Sequence, residues 1–469
     1  MTAWLDEDRL FSTDPMQRDI ARHLYEGVRD MPILSPHGHT DPRWFAENKR
    51  FDNPASLFVT PDHYVFRMLH SQDVSLEELG IVSQNDKVTP PSPRSVWRLF
   101  AKYYYLFRGT PSRLWLDHAF QEVFGIGERL TEQNADAIYD EIDYALGQGD
   151  YLPRALYDRF NISCLATTES PLDDLRWHQQ IRDSGWSGRV ITTYRPDDVV
   201  DPDYEGFSNN VMTLGEITGE DTTSWQGYLA AHRKRRLYFK SFGATATDHG
   251  HPTARTENLP AGEAKCLFDK ALRGVCTAEE ADRFRGHMIT EMARMSLEDG
   301  LVLQLHTGSS RNHRQDIFAQ FGRDKGYDIP MRTDYVTALS PLLNAVGGQA
   351  DLTIIVFTLD ETNFSRELAP LAGVYPALKL GPPWWFLDSY EGMMRFRETV
   401  TETAGFYNTV GFNDDTRAFC SIPARHDVAR RVDCAYLAQL VGTGRLDFEE
   451  AQEVSFDLTY NLAKQAYHL

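Results

Sequence analysis

Apolar residues along this chain follow two alternating patterns. Short, nearly continuous apolar runs at 33–34, 162–166, 190–193, 244–247, 301–305, 352–357, 377–380 and 408–412 read as strands. Runs without polar alternation are what parallel strands buried on both faces require. Between them apolar residues recur every three or four positions, the period of helices packed on a sheet. The clearest helix opens with the capping box Thr277-Ala-Glu-Glu280 and stops at Gly300, and another spans 447–463. Near the start, Thr13-Asp14-Pro15 places a proline at the first helical position, with Ile20, Leu24 and Val28 on one face.

From Trp44 to Gly149 the alternation stops. Aromatic-rich helical patterns at 61–71, 94–107, 111–124 and 134–146 follow one another with no strand between them. The expected organisation is an N-terminal helix and first strand over 1–43, an inserted helical subdomain over 44–150, and the remaining βα units and C-terminal helices over 151–469. Eight strands with intervening helices predict a distorted, TIM-like (β/α)8 barrel, because closure leaves no exposed strand edge. A doubly wound open sheet is the competing α/β architecture.

Composition narrows the function. The net charge of −20 excludes a nucleic-acid surface, which needs basic patches, and any anionic ligand must meet locally placed arginines. No apolar run is long enough to cross a bilayer, and the acidic start Met1-Thr-Ala-Trp-Leu-Asp-Glu-Asp8 argues against export. Cys164, Cys266, Cys276, Cys420 and Cys434 are odd in number and form no C-x-x-C pair. A reducing cytoplasm is the expected compartment.

In such barrels the chemistry gathers at the C-terminal ends of the strands, and here those ends are polar. They carry His37 and His39, Thr167-Thr168-Glu169, Tyr194-Arg195, Asp248-His249, His306 and Arg311, Asp360-Glu361, Trp384-Trp385, and Asp414-Asp415-Thr416-Arg417. Residues two apart on an extended backbone point the same way, so His37 and His39 can face one metal ion or stand as ordinary loop histidines. With 15 histidines in the chain about half an H-x-H is expected by chance, and a second copy exists at His249-Gly250-His251. Asp415 is the natural third ligand, since first and eighth strands adjoin in a closed barrel and a two-histidine, one-carboxylate set leaves positions open. Arg195, Arg311 and Arg417 follow three different strands and suit a carboxylate substrate. His63-Tyr64 lies where a helix of the insertion can lean over the barrel mouth, and Trp384-Trp385 follows a rigid Gly-Pro-Pro turn that can set an indole against a sugar or the core.

Over essentially its whole length the chain resembles the uronate (glucuronate) isomerases of the amidohydrolase superfamily. The residues that carry the resemblance are Ser35-Pro-His-Gly-His-Thr-Asp-Pro42, Pro61-Asp-His-Tyr64, Thr167-Thr168, Tyr194-Arg-Pro-Asp197 and Asp248-His-Gly250. They continue with Gln304-Leu-His306, Arg311-Asn312, Trp384-Trp385-Phe386 and Asp415-Thr-Arg417. The resemblance implies an aldose-ketose isomerase of hexuronate catabolism, interconverting D-glucuronate with D-fructuronate and D-galacturonate with D-tagaturonate. It implies one divalent metal, zinc, on His37, His39 and Asp415, with Tyr64, Arg195, Asp248, His306, Arg311 and Arg417 in the active site.

The expected catalytic set is therefore Asp415, Tyr64, His306 and Asp248, with His63, Arg195, Arg311, Arg417, Trp384 and Trp385 binding substrate. A small-molecule hexuronate, no nucleic acid, no membrane and a homo-oligomeric state complete the expectation. The alternatives are a metal-dependent hydrolase of the same superfamily, using a metal-bound hydroxide, and a non-catalytic sugar-acid binding protein.

Overall fold

The computed structural model describes residues 4–84 and 89–469. Seven parallel strands form one curled sheet in chain order: β1 (Ile33–Ser35), β2 (Ile162–Glu169), β3 (Val190–Tyr194), β4 (Ala246–His249), β5 (Val302–His306), β6 (Ile354–Phe357) and β7 (Leu378–Leu380). β3, β4, β5 and β6 are buried along their whole length, as strands covered on both faces must be. The distorted, TIM-like barrel expected from the apolar runs is thus present, and the open doubly wound sheet is not.

The eighth expected strand, 408–412, is a correction. It contributes only one bridge, Thr409 to Leu380, with Val410 N donating to Leu380 O at 3.1 Å. Gly411 stops the ladder: it sits at φ 72°, and a Cβ there would lie 2.8 Å from Leu458 O. The seam back to β1 is carried by His39 N donating to Thr416 O at 3.0 Å. A second difference is one of length. β2 runs on through Thr167–Glu169, and β4 is displaced toward Asp248 and His249, so these polar residues lie within strands.

Between β1 and β2 the described chain is helix and turn only. Four of its helices, Pro42–Glu47, Pro54–Phe58, Pro93–Lys102 and Pro111–His118, begin with proline behind a capping Asp41, Asn53, Ser92 or Thr110. Proline has no N–H to leave unsatisfied there, and the cap side chain accepts one of the orphan donors behind it. The expected helix 94–107 breaks at Tyr103 into Pro93–Lys102 and a tighter turn, Tyr104–Phe107.

Apolar side chains of this segment, among them Phe45, Trp97, Phe100 and Phe120, share a core with Ile33, Ile162 and Leu165 of β1 and β2. A separate core lies under β3 to β7. The barrel interior is filled from the C-terminus, where Ala463 packs with Leu34, Cys164 and Ile191, and Tyr467 packs with Val302, Ile355 and Phe357. Of these, each buried Leu, Val, Ile or Phe side chain contributes about 1.5–3 kcal/mol. Helix α1 (Pro15–Val28) buries Ala21, Leu24 and Val28 along the long C-terminal helix α2 (Ile422–Gly442), with Ile20 only partly covered. Among the described residues no helix is long and apolar enough to cross a membrane.

Candidate functional site

β1 delivers His37 and His39 to the rim. Their Nε2 atoms lie 3.5 and 3.1 Å from the same oxygen, Asp415 Oδ1. Asp415 reaches them from a left-handed backbone position, φ 36°, one that aspartate tolerates better than most residues. The preceding Asp414 turns away and accepts from His426 Nε2 at 3.1 Å. Two imidazoles converging on one carboxylate oxygen, with no lysine or arginine ion pair on Asp415 among the described residues, is a donor set that fits one divalent cation. Burial lowers His37 to about 4, against the pull of Asp415 and Asp248, which keeps it a neutral ligand at physiological pH. Burial alone would raise the Asp415 carboxyl, but His37 and His39 hold it below the usual carboxylate range.

Behind these ligands stands a buried relay. His306, at the end of β5, stacks on His37 with ring centroids 4.7 Å apart and on Phe357 at 4.0 Å. Its Nδ1 donates to Asp248 Oδ1 at 2.6 Å, while its Nε2 has no hydrogen-bond partner. Asp248 also accepts from Arg195 Nη1 at 2.9 Å. His37 Nδ1 lies 3.4 Å from Gln304, whose carboxamide oxygen accepts from Tyr467 OH at 2.9 Å. The C-terminal turn therefore braces the ligand from inside the barrel.

These groups surround a cavity of about 580 Å³, within the range of about 300–1,000 Å³ usual for small-molecule sites. Of the expected residues, His37, His39, His63, Tyr64, Arg195, His306, Arg311, Trp384, Trp385, Asp415 and Arg417 line it. Asp248 does not; it is fully buried behind Arg195 and His306. His63 and Tyr64 come from the first turn of helix His63–His70, capped by Asp62, and stack on each other at 4.7 Å. Burial lowers His63 to about 3 and pushes the Tyr64 phenol well above its ordinary range, so both are neutral. Trp385, at φ 53°, sits 5.5 Å from His63 and 5.6 Å from the Arg311 guanidinium.

The three arginines differ. Arg195 is engaged by Asp248 and by Asp197, and Arg311 by Asp328 at 3.1 Å. Arg417 is 39% exposed, and among the described residues its one ion pair is with Asp324, at 3.5 Å. Burial alone would raise Asp324, but Arg417, Arg195 and Arg311 together bring it down to about 2.

Several residues here carry no sequence signal. Asp324 and Asp328 lie in a loop inside the short antiparallel pair Ser309–Ser310 and Ile329–Pro330. Arg425 lies over Trp115 at 3.6 Å and Tyr64 at 5.2 Å and pairs with Asp388, whose burial raises it to about 7 despite that partner. Glu169, by contrast, is among the polar strand ends read from the sequence; at the end of β2 it is raised by burial to about 8 while accepting from Thr192.

A family model described as glucuronate isomerase matches residues 1–467. The uronate isomerase of Mesorhizobium japonicum is 62% identical over 469 residues, 100% of both chains. The crystal structure of glucuronate isomerase from Caulobacter crescentus is similar at TM-score 0.97 and 58% identity, covering 99% of this chain and 97% of that one. That of Thermotoga maritima uronate isomerase matches at TM-score 0.92 and 28% identity, over 99% and 100%.

Proposed function

This chain belongs to the glucuronate isomerase family, and on that premise we propose how its rim residues work. It is an enzyme, a hexuronate isomerase; the hydrolase and binding-protein readings fall away because the family match spans nearly the whole chain. The assigned pairs are D-glucuronate with D-fructuronate and D-galacturonate with D-tagaturonate. The observation that carries the site assignment is the convergence of His37, His39, Asp415, Tyr64, His306 and Arg417 on one cavity.

His37, His39 and Asp415 would hold a divalent ion, zinc being suited to this donor set, and when bound it would supply Lewis-acid polarisation of the sugar's oxygens. Arg417 takes the C6 carboxylate, because among the described residues its one ion pair is the loose contact with Asp324 and a bidentate carboxylate pairs better with its fork. Arg195 and Arg311, already tied to Asp248 and Asp328, offer their remaining N–H groups to hydroxyls. His63, Trp384 and Trp385 shape the wall against the sugar.

His306 lines the cavity and its buried Nε2 has no hydrogen-bond partner among the described residues; in this reading it takes the C2 proton and delivers one at C1, while Asp248 fixes the proton on Nδ1. Tyr64, kept protonated by burial, gives O1 its proton and recovers one from O2. The 44–150 segment then acts as a helical subdomain roofing the site through His63 and Tyr64, between the 1–43 and 151–469 parts of the barrel. A cytoplasmic homo-oligomer completes the proposal, with light scattering as its check.

The test is ketose formation from glucuronate or galacturonate by the metal-loaded enzyme. No turnover of either uronate would remove the substrate assignment. Run in D2O, deuterium at C2 of the aldose formed from the ketose would mark proton transfer with solvent exchange, and a His306→Gln variant with an unchanged rate would remove His306 as the proton carrier.

A further inference from the structure

The second His-Gly-His takes no part in this chemistry. His249 ends β4 and is fully buried, and His251 two residues on is 3% exposed. His249 Nδ1 and both ring nitrogens of His251 have no hydrogen-bond partner. A buried polar group left unsatisfied costs about 1–3 kcal/mol, so three such nitrogens in one loop call for a ligand.

The loop faces Asp197, just after β3, and one donor atom each from Asp197, His249 and His251 lies within 4.8 Å of the others. Gly250 N donates to Asp197 Oδ1 at 3.1 Å and Oδ2 at 3.2 Å, and Arg195 Nε donates to Oδ2 at 2.9 Å. Each carboxylate oxygen accepts more than one bond, so Oδ1 retains a free position. A Cβ at 250 would lie 2.2 Å from Arg195 Nη2 and 2.8 Å from Asp197 Oδ2, so a side chain there would displace the Arg195–Asp197 pair. The charge balance also admits a cation. Asp197, Asp198, Asp201 and Asp203 line this lobe of the cavity, while Arg285 pairs with Asp201 and Asp203 at 2.6 and 2.7 Å.

We infer that Asp197, His249 and His251 form a second binding site for a divalent transition cation of the zinc class, sharing no ligand with His37, His39 and Asp415. The donors are two imidazoles and a carboxylate, and bonds of about 2.0–2.2 Å would draw them together. Burial of both imidazoles makes it a closed, structural site. The inference goes beyond the isomerase reading and does not depend on it.

Zn2+ titrated into chelator-treated full-length protein, with metal counted by elemental analysis after desalting, separates the two sites. Two equivalents are expected for the wild type, and one each for His251→Ala and His37→Ala. One equivalent in the wild type that is retained in His251→Ala, or two equivalents retained in His251→Ala, would overturn the site. Because His251→Ala can unfold the loop, a second measurement uses His37→Ala with His251 intact: Zn2+ should still raise its Tm by several degrees, and an unchanged Tm would equally overturn it. A zinc-edge anomalous map of the wild type should place a peak among Asp197, His249 and His251, and its absence there would do the same.

Discussion

The tripeptide His-Gly-His follows β1 and again overlaps the end of β4, and the two copies are alike until their surroundings are considered. Around the first, His39 is 23% and Asp415 12% exposed, and the Asp415 carboxylate is tied to no arginine. Around the second, both histidines are buried, and Asp197 is already gripped by Arg195 and by Gly250 N. An open set of two imidazoles and a carboxylate leaves room for substrate, whereas a closed one holds its ion for the sake of the fold. The residue types are the same, so what would separate a catalytic from a structural centre is which carboxylate arrives and how much water it meets. The two are joined by one side chain, since Arg195 bonds Asp197 on one side and Asp248 on the other.

The sharpest way to break that contrast is to remove one histidine from each copy. His37→Ala should abolish measurable isomerisation, a fall of about 10³-fold or more in kcat, because several kcal/mol of charge stabilisation goes with the metal. His249→Ala should lower thermal stability more than it lowers kcat. Steady-state rates beside melting curves test the pair, and a reversal of the two effects would exchange the roles of the sites. A smaller loss is expected from Asp248→Asn, which leaves the ligands intact and frees both His306 and Arg195. Partners that orient a site from behind are worth about 10–100-fold, so kcat should fall by that order while bound metal stays unchanged.

Why the two copies could not be ranked from sequence is physical. The apolar runs located seven of the strands, because parallel strands buried on both faces must be continuously apolar. The run at 408–412 reads the same way, yet Gly411 at positive φ breaks it, and φ is not written in hydropathy. The rim residues were legible because strand ends are fixed by the runs before them. Asp324 and Asp328 were not, because they reach the cavity from a loop, and neither was Arg425, which stands behind Tyr64 and Trp115 on a distant helix. Asp197 was visible only as part of a motif, since its role depends on the approach of Gly250 across two strands.

The arginines carry the comparison into binding. Arg417→Ala should raise KM with a loss of about 1.5–3 kcal/mol in kcat/KM, one charge-assisted carboxylate contact. Arg311→Ala should cost less in KM, since its guanidinium is already spent in part on Asp328. Equal losses in the two variants, measured with glucuronate, would mean that the carboxylate sits between them rather than on Arg417.

An effect read in stability rather than in rate concerns Glu169, on the strand between β1 and the β3 end that supplies Asp197. Burial raises its carboxyl to about 8, with Thr167 and Thr192 opposing, so the folded protein binds this proton far more tightly than the unfolded chain, where glutamate titrates near 4.3. A folded-state pKa above the unfolded one gives stability that is complete below about pH 4 and is lost as pH rises through about 8. Glu169→Gln keeps the hydrogen-bonding shape and removes the titration. The stability of the variant relative to wild type, from urea unfolding, should therefore rise steadily between pH 5 and pH 8, by on the order of 1 kcal/mol per pH unit at most. A difference that is flat with pH would place a second cation or a solvent path beside Glu169, and would bring this strand end closer in character to the open centre at His37 than to the closed one at His249.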